Sequence, residues 1–289
     1  MSTSELARTD RPGAPALQPL RLLASELRLV FGRRRNQALL AVLSLAPILI
    51  GTAVRLADDG GGAGGEGPAF IGQITQNGLF LSFTALTVTL PFFLPLAVAV
   101  VSGESIAGEA SSGTLRNLLV VPVSRTRLLV VKYVSVVFFA LACALVVWGV
   151  GLLVGLLLFP QGEVTLLSGT TVSFGEALLR ALLVALYVGA MLAGVAAIGV
   201  FFSTLTEVPM GAMAATAVLT IASQIIGAVP QVSGIWPYLF TTPWFAFGDL
   251  LRSPVPLGDM GLGLLTQGVY IVLFLLLAWA RLTTKDISS

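Results

Sequence analysis

The most polar stretch in the middle of an otherwise apolar chain is "ESIAGEASSGTLRNLLVVPVSRTRLLVVKY", residues 104–133. It holds two acids, Glu104 and Glu109, and four bases, Arg116, Arg125, Arg127 and Lys132. Gly113, Thr114 and Pro122 stand between them. Such residues form ion pairs, cap a helix and stop one. They do not compose a catalytic site. The chain has no histidine, which removes His general-base catalysis and His-ligated metal. Cys143 is the only cysteine, so neither an internal disulfide nor a Cys-held zinc can form. No P-loop signature occurs. With no paired carboxylates and no Cys–His arrangement, an intramembrane enzyme is the poorest reading.

Local chemistry suggests what the stretch does instead. Gly113 supplies φ freedom where the chain turns, and Thr114 caps a following helix. "TLRNLLVV" then reads as a short amphipathic helix with Leu115, Leu118 and Leu119 on one side. Pro122 ends it, and "SRTRLLVVK" returns through a basic collar. Two readings fit this spacing: a docking element for a partner, or an ordinary basic connector.

The elements that must position the stretch are membrane spans. The chain is 56% hydrophobic and 10% charged, against about 45–50% and 25% in soluble domains. Its apolar runs reach the ~20 residues that cross a bilayer as a helix, and they do not alternate as barrel strands do. The fold class expected is an all-α polytopic membrane protein with six spans. These fall at 37–56, 77–102, 129–158, 178–202, 208–229 and 261–281, giving a transmembrane domain over 36–282. Residues 1–16 read as a disordered tail, with no signal peptide, since the first apolar run begins too far in. Residues 17–35 place Leu20, Leu23, Leu27 and Val30/Phe31 at helical spacing. That predicts an interfacial amphipathic helix ending in Arg33, Arg34 and Arg35. "STLTE" makes a tight hairpin of the fourth and fifth spans. The segment 230–260, rich in proline and aromatics, is expected as a re-entrant pair of short helices, or else as an interfacial cap. A short tail, 283–289, ends the chain.

Orientation follows from the bases. In this topology only Arg55, Arg180 and Arg252 lie opposite the termini, and the other thirteen of the sixteen Lys and Arg share the termini's side. Bases stay cytoplasmic, so both ends and the loop 103–128 are expected inside.

The pattern Glu104, Glu109, Gly113-Thr114-Leu115, Leu118-Leu119, Pro122, Ser124-Arg125 and Lys132 resembles the cytoplasmic loop of permease subunits of ATP-binding-cassette exporters, type-two class. That family carries E-x-x-x-G-T-L-x-x-L-L-x-x-P-x-S-R and a later lysine between its second and third spans. Arg116-Asn117 departs from it, standing where an acid is often found. The basic leader, six spans, extended outer segment and "RLTTKDI" ending are compatible with the resemblance. It implies that the loop supplies a coupling helix to a soluble P-loop ATPase present in two copies. It also implies a second permease copy, identical or paralogous, with ATP and Mg bound by the ATPase and no cofactor on this chain. Membrane lipid is the other expected partner and nucleic acid is not one. The location implied is a prokaryotic cytoplasmic membrane.

Ion coupling is the rival way to drive a transporter, and it normally needs titrating groups within the membrane. Glu104, Glu176, Arg180 and Glu207 all sit at span ends, with Glu176 and Arg180 an i,i+4 pair. Backbone carbonyls could still bind sodium, and a non-transporting scaffold, sensor or assembly subunit could use the same loop. Pro91 and Pro95 should kink the second span beside Phe92 and Phe93, as a static bend or a hinge. Thr216, Thr220, Ser223 and Gln224 make a mildly polar stripe. It either bonds neighbouring helices or, with the kink, lines a substrate path. Gly151-x-x-x-Gly155, Gly189, Gly194 and Gly199 allow close helix approach, more simply within one subunit than across a dimer. The absence of charge at mid-membrane favours an amphipathic or hydrophobic cargo such as a drug, peptide or lipid.

Overall fold

The structure, a computed structural model, describes residues 18–59, 74–111, 124–166 and 168–284. It is a helical bundle, as backbone in lipid must bond within its own segment. Helix α1 (Gln18–Gly32) leads by a sharp corner at Arg33 into α2 (Arg34–Asp59). Then come α3 (Phe80–Thr89), α4 (Phe93–Ser111), α5 (Arg125–Leu158), α6 (Phe174–Leu205), α7 (Pro209–Gly227) and α8 (Leu257–Thr284). Five of these are long and apolar enough to cross a membrane. The bent pair α3–α4 supplies a sixth span if counted as one.

Helix α6 is the centre. Its most apolar stretch is 78% buried, against 17–39% for the other four long helices. It packs on α4, α5, α7 and α8, and its small residues make this possible. A Cβ on Gly189 would lie 2.8 Å from Leu141, on Gly194 2.0 Å from Gln267, and on Gly199 1.9 Å from Ser102. These glycines each admit a different neighbour. Gly151 and Gly155 of α5 likewise meet Ser82 and Gly78 of the same chain, so this pair packs within the subunit.

Prolines explain the break between α3 and α4, where the axis turns by 56°. Pro95 has no N–H, so the carbonyl of Pro91 loses its ladder donor. The side chain of Gln224, on α7, donates to that carbonyl at 2.5 Å. The bend is thus tied to α7 as well as caused by proline.

At the end opposite the loop stems, a small hairpin pairs Val164–Thr165 with Thr171–Val172, and its turn closes through Gly169 at φ 79°. Residues 230–251 form two 3₁₀ helices, Pro230–Tyr238 and Thr242–Leu251. The second buries Trp244, Phe247, Leu250 and Leu251 against α6 and α8. Arg180 fastens it, donating to the carbonyls of Leu250 (2.9 Å) and Arg252 (2.8 Å) while pairing with Glu176 at 2.7 Å. The expected i,i+4 pair forms, and its arginine also caps a helix end.

Candidate functional site

Gly113, Thr114, Leu115, Leu118, Leu119 and Pro122 lie outside the described residues. The structure describes the two stems that hold them: α4 up to Ser111, and α5 with its cap Ser124.

The first stem is fixed from three sides. Glu104 accepts from Arg33 at 2.7 Å and also from Arg35. Both arginines are 41–50% exposed, and pairs of that exposure contribute about 0–1 kcal/mol each. Their effect is positional: they hold α4 to the corner between α1 and α2. That corner is itself built by capping. Asn36, 1% exposed, donates to Val30 O at 2.8 Å, and Gln37 donates to Phe31 O at 3.0 Å. These contacts satisfy carbonyls that the end of α1 leaves without helical partners. From α6, the Ser203 hydroxyl accepts from the amides of Ile106 (3.0 Å) and Ala107 (2.8 Å) and donates to Gly103 O at 2.8 Å. From α7, the backbone of Met213 comes so close that a Cβ on Gly103 would sit 2.8 Å from its nitrogen.

Lys132 joins the two stems. Its side chain, 5% exposed, donates to both carboxylate oxygens of Glu26 on α1, at 3.0 and 2.9 Å, and to Glu109 on α4. One buried ammonium therefore binds α1, α4 and α5 together. A cavity of about 30 Å³, lined by Glu26, Arg33, Asn36, Glu104, Glu109 and Lys132 among others, has room for about one water.

The second stem is fastened to the end of the bundle's last helix. Ser124 caps α5 by accepting from the amide of Arg127 at 3.3 Å. Arg125 donates to the carbonyls of Leu282 (2.6 Å) and Thr283 (3.1 Å). A cation at those carbonyls also complements the helix dipole. Trp279 Nε1 donates to Thr126 Oγ1 at 2.9 Å. Arg125→Ala should therefore lower stability by about 1–2 kcal/mol, and Arg125→Lys by less. Thermal unfolding of the purified protein checks this. Equal losses in the two variants would show that the charge contributes nothing.

The stripe on α7 is buried and satisfied. Thr216, Thr220 and Ser223 are 0–4% exposed. Thr216 donates to Ala212 O and Thr220 to Thr216 O, both at 2.8 Å, and Ser223 shares a hydrogen bond with Thr241 at 2.7 Å. Phe92 and Phe93, stacked edge to face, stand about half exposed at the bend. Within one subunit Ser223 joins α7 to the outer segment at Thr241, and Gln224 joins it to the bend at Pro91.

Sequence reasoning placed Glu104, Glu109, Arg125 and Lys132 together, and the structure puts all four on the loop stems. It missed Glu26, Ser203 and Asn36. Glu26 carried a readable signal: it falls at helical spacing from Leu23 and Val30, so an acid flanks the apolar face of α1. A charge there needs a partner. Leu22, Leu23, Leu27, Val30 and Phe31 of that face are half-buried, and Phe31 packs on Phe139 of α5 with ring centroids 5.9 Å apart.

Among the described residues no group of acids, histidine and cysteine could hold a metal. What the site offers is mechanical: two stems of one loop, clamped to α1, α2, α6, α7 and α8. Fold and site together define a polytopic helical membrane protein built around a firmly stemmed loop. A profile of ABC-2 family transporter proteins matches residues 33–223, most of the chain, from the corner before α2 to the polar stripe of α7. The chain belongs to that family, and is a membrane subunit of an ABC transporter. No curated protein matches the chain.

Proposed function

We propose that this chain is the permease of an exporter driven by ATP that a separate soluble subunit hydrolyses. Two P-loop ATPase copies, holding ATP and Mg, dock on the loop 103–128 of two permease copies, identical or paralogous. The cargo is an amphipathic or hydrophobic compound, peptide or lipid. The observation that carries the reading is the clamping of both loop stems to α1, α2, α6, α7 and α8, in a chain of the ABC-2 family. A push that reaches the stems passes to the other helices through these contacts. The lack of any P-loop on the chain is consistent with a borrowed ATPase.

The orientation belongs to this reading: both termini and the loop face the cytosol of a prokaryote, supported by the thirteen-to-three division of the bases. In a Cys143→Ser background, a cysteine at position 62 should react with an impermeant thiol reagent in intact cells, and one at position 111 should not. Reversed labelling sinks both the orientation and the docking. Affinity purification of the permease from its native membrane should bring down a soluble P-loop ATPase. A complex with ATP-dependent uptake into inverted vesicles supports the exporter. A permease that purifies alone, with no ATP-dependent flux, overturns it.

A further inference from the structure

Lys132 is buried and holds two carboxylates, and the two are not equivalent. Glu26 presents both oxygens from α1, a helix fixed by the Asn36 and Gln37 caps and by Phe31 on Phe139. Glu109 presents one oxygen from the last turn of α4. Ser203 pins α4 as far as Ala107. Gly108 follows, where an added Cβ would meet, among the described residues, nothing nearer than the side-chain carbons of Glu104 at 3.6 Å. Glu109 lies beyond that uncrowded glycine, on the turn that leads directly into the loop.

A buried ammonium that loses its only counter-ion is strongly destabilised. We infer that Glu26 is the resident counter-ion of Lys132, whose presence lets the last turn of α4 part from Lys132 without stranding a buried charge. Glu26 is then a positioning residue for coupling: it acts through Lys132 and touches neither cargo nor nucleotide. The inference rests on the permease reading, because the docked ATPase is what moves the turn.

Two measurements test it, the first needing no ATPase. In purified permease, Glu26→Gln and Glu109→Gln should each lower the apparent melting temperature by only about 2–4 °C. The double variant should lose about 10 °C, more than the sum, because Lys132 then has no carboxylate. Adding Lys132→Met to the double should recover most of the loss, even where the double itself fails to fold. Additive singles, or no recovery with Lys132→Met, overturn the shared counter-ion.

The second measurement is flux per ATP in vesicles holding the complex. Glu26→Gln leaves Glu109 as the sole partner of Lys132 and so holds the turn. Flux per ATP should fall about fivefold or more while the ATPase still co-purifies. Glu26→Asp should retain flux. Lys132→Met placed on Glu26→Gln should restore it, since the buried ammonium no longer detains Glu109. Equal flux in Glu26→Gln and wild type, or no rescue by Lys132→Met, overturns the positioning role. If wild type itself shows no ATP-dependent flux while the stability cycle behaves as stated, the permease reading fails and the counter-ion arrangement stands.

Discussion

Gly155→Val should leave almost no folded permease in the membrane. A Cβ at Gly155 would sit 2.0 Å from the carbonyl oxygen of Gly78 and 2.7 Å from its carbon. The obstacle is backbone, not a side chain that can turn aside. Nor can that backbone retreat. Gly78 N donates to Pro160 O at 3.1 Å, its carbonyl accepts from Leu81 N at 3.1 Å, and Asn77 Nδ2 donates to Gly162 O at 3.2 Å. The start of α3 is therefore locked to the chain leaving α5. An added methylene in a packed core costs about 1–3 kcal/mol when side chains can shift; here the cost should be greater. Gly149 is the control, on the same helix, with nothing among the described residues within 4 Å of its Cβ position. Size-exclusion profiles of detergent extracts should lose the monodisperse peak for Gly155→Val and keep it for Gly149→Val. A wild-type profile and melting temperature for Gly155→Val would show that the contact is absent.

Leu118→Asp should separate the permease from its ATPase without unfolding it. Leu115, Leu118 and Leu119 share one side of the short helix read from the sequence. Glu104 keeps Arg33 and Arg35, Lys132 keeps Glu26 and Glu109, and Arg125 keeps the end of α8. Burying a carboxylate without a partner at a contact face is costly, and loss of a central interface contact amounts to about 2 kcal/mol or more. Affinity for the ATPase should therefore fall about thirtyfold or more. Pull-down of the ATPase and ATP turnover in vesicles read the effect, with melting temperature as the check on folding. Normal assembly with normal coupled flux would make the loop a mere connector.

Much of this architecture is legible in the sequence because bilayer crossing leaves a strong local mark. The apolar runs gave α2, α5, α6, α7 and α8 to within a few residues, and Pro91 with Pro95 marked the bend between α3 and α4. The prolines and aromatics of 230–260 correctly argued against one plain span. Partners were not legible, since pairing across distant segments depends on which helices pack together. Nothing near Gln224 says that it will serve the carbonyl of Pro91. "STLTE" announces a hairpin, yet its serine, Ser203, also grips α4. Gly151 and Gly155 advertise a close approach but do not name Gly78. At the loop, the pattern of motif residues singled out Glu109 and Lys132. That they share a cluster with Glu26 required the fold, because α1 had first to be laid along α5.

The central claim is that the loop between α4 and α5 touches the ATPase directly. A photo-crosslinking residue placed at position 118, with another at position 62 as control, tests it in native membranes. Irradiation should join the permease to a soluble P-loop ATPase from position 118 and not from position 62. Crosslinks from position 118 to lipid alone, in membranes where the ATPase is present and ATP-dependent flux is measured, would contradict the account.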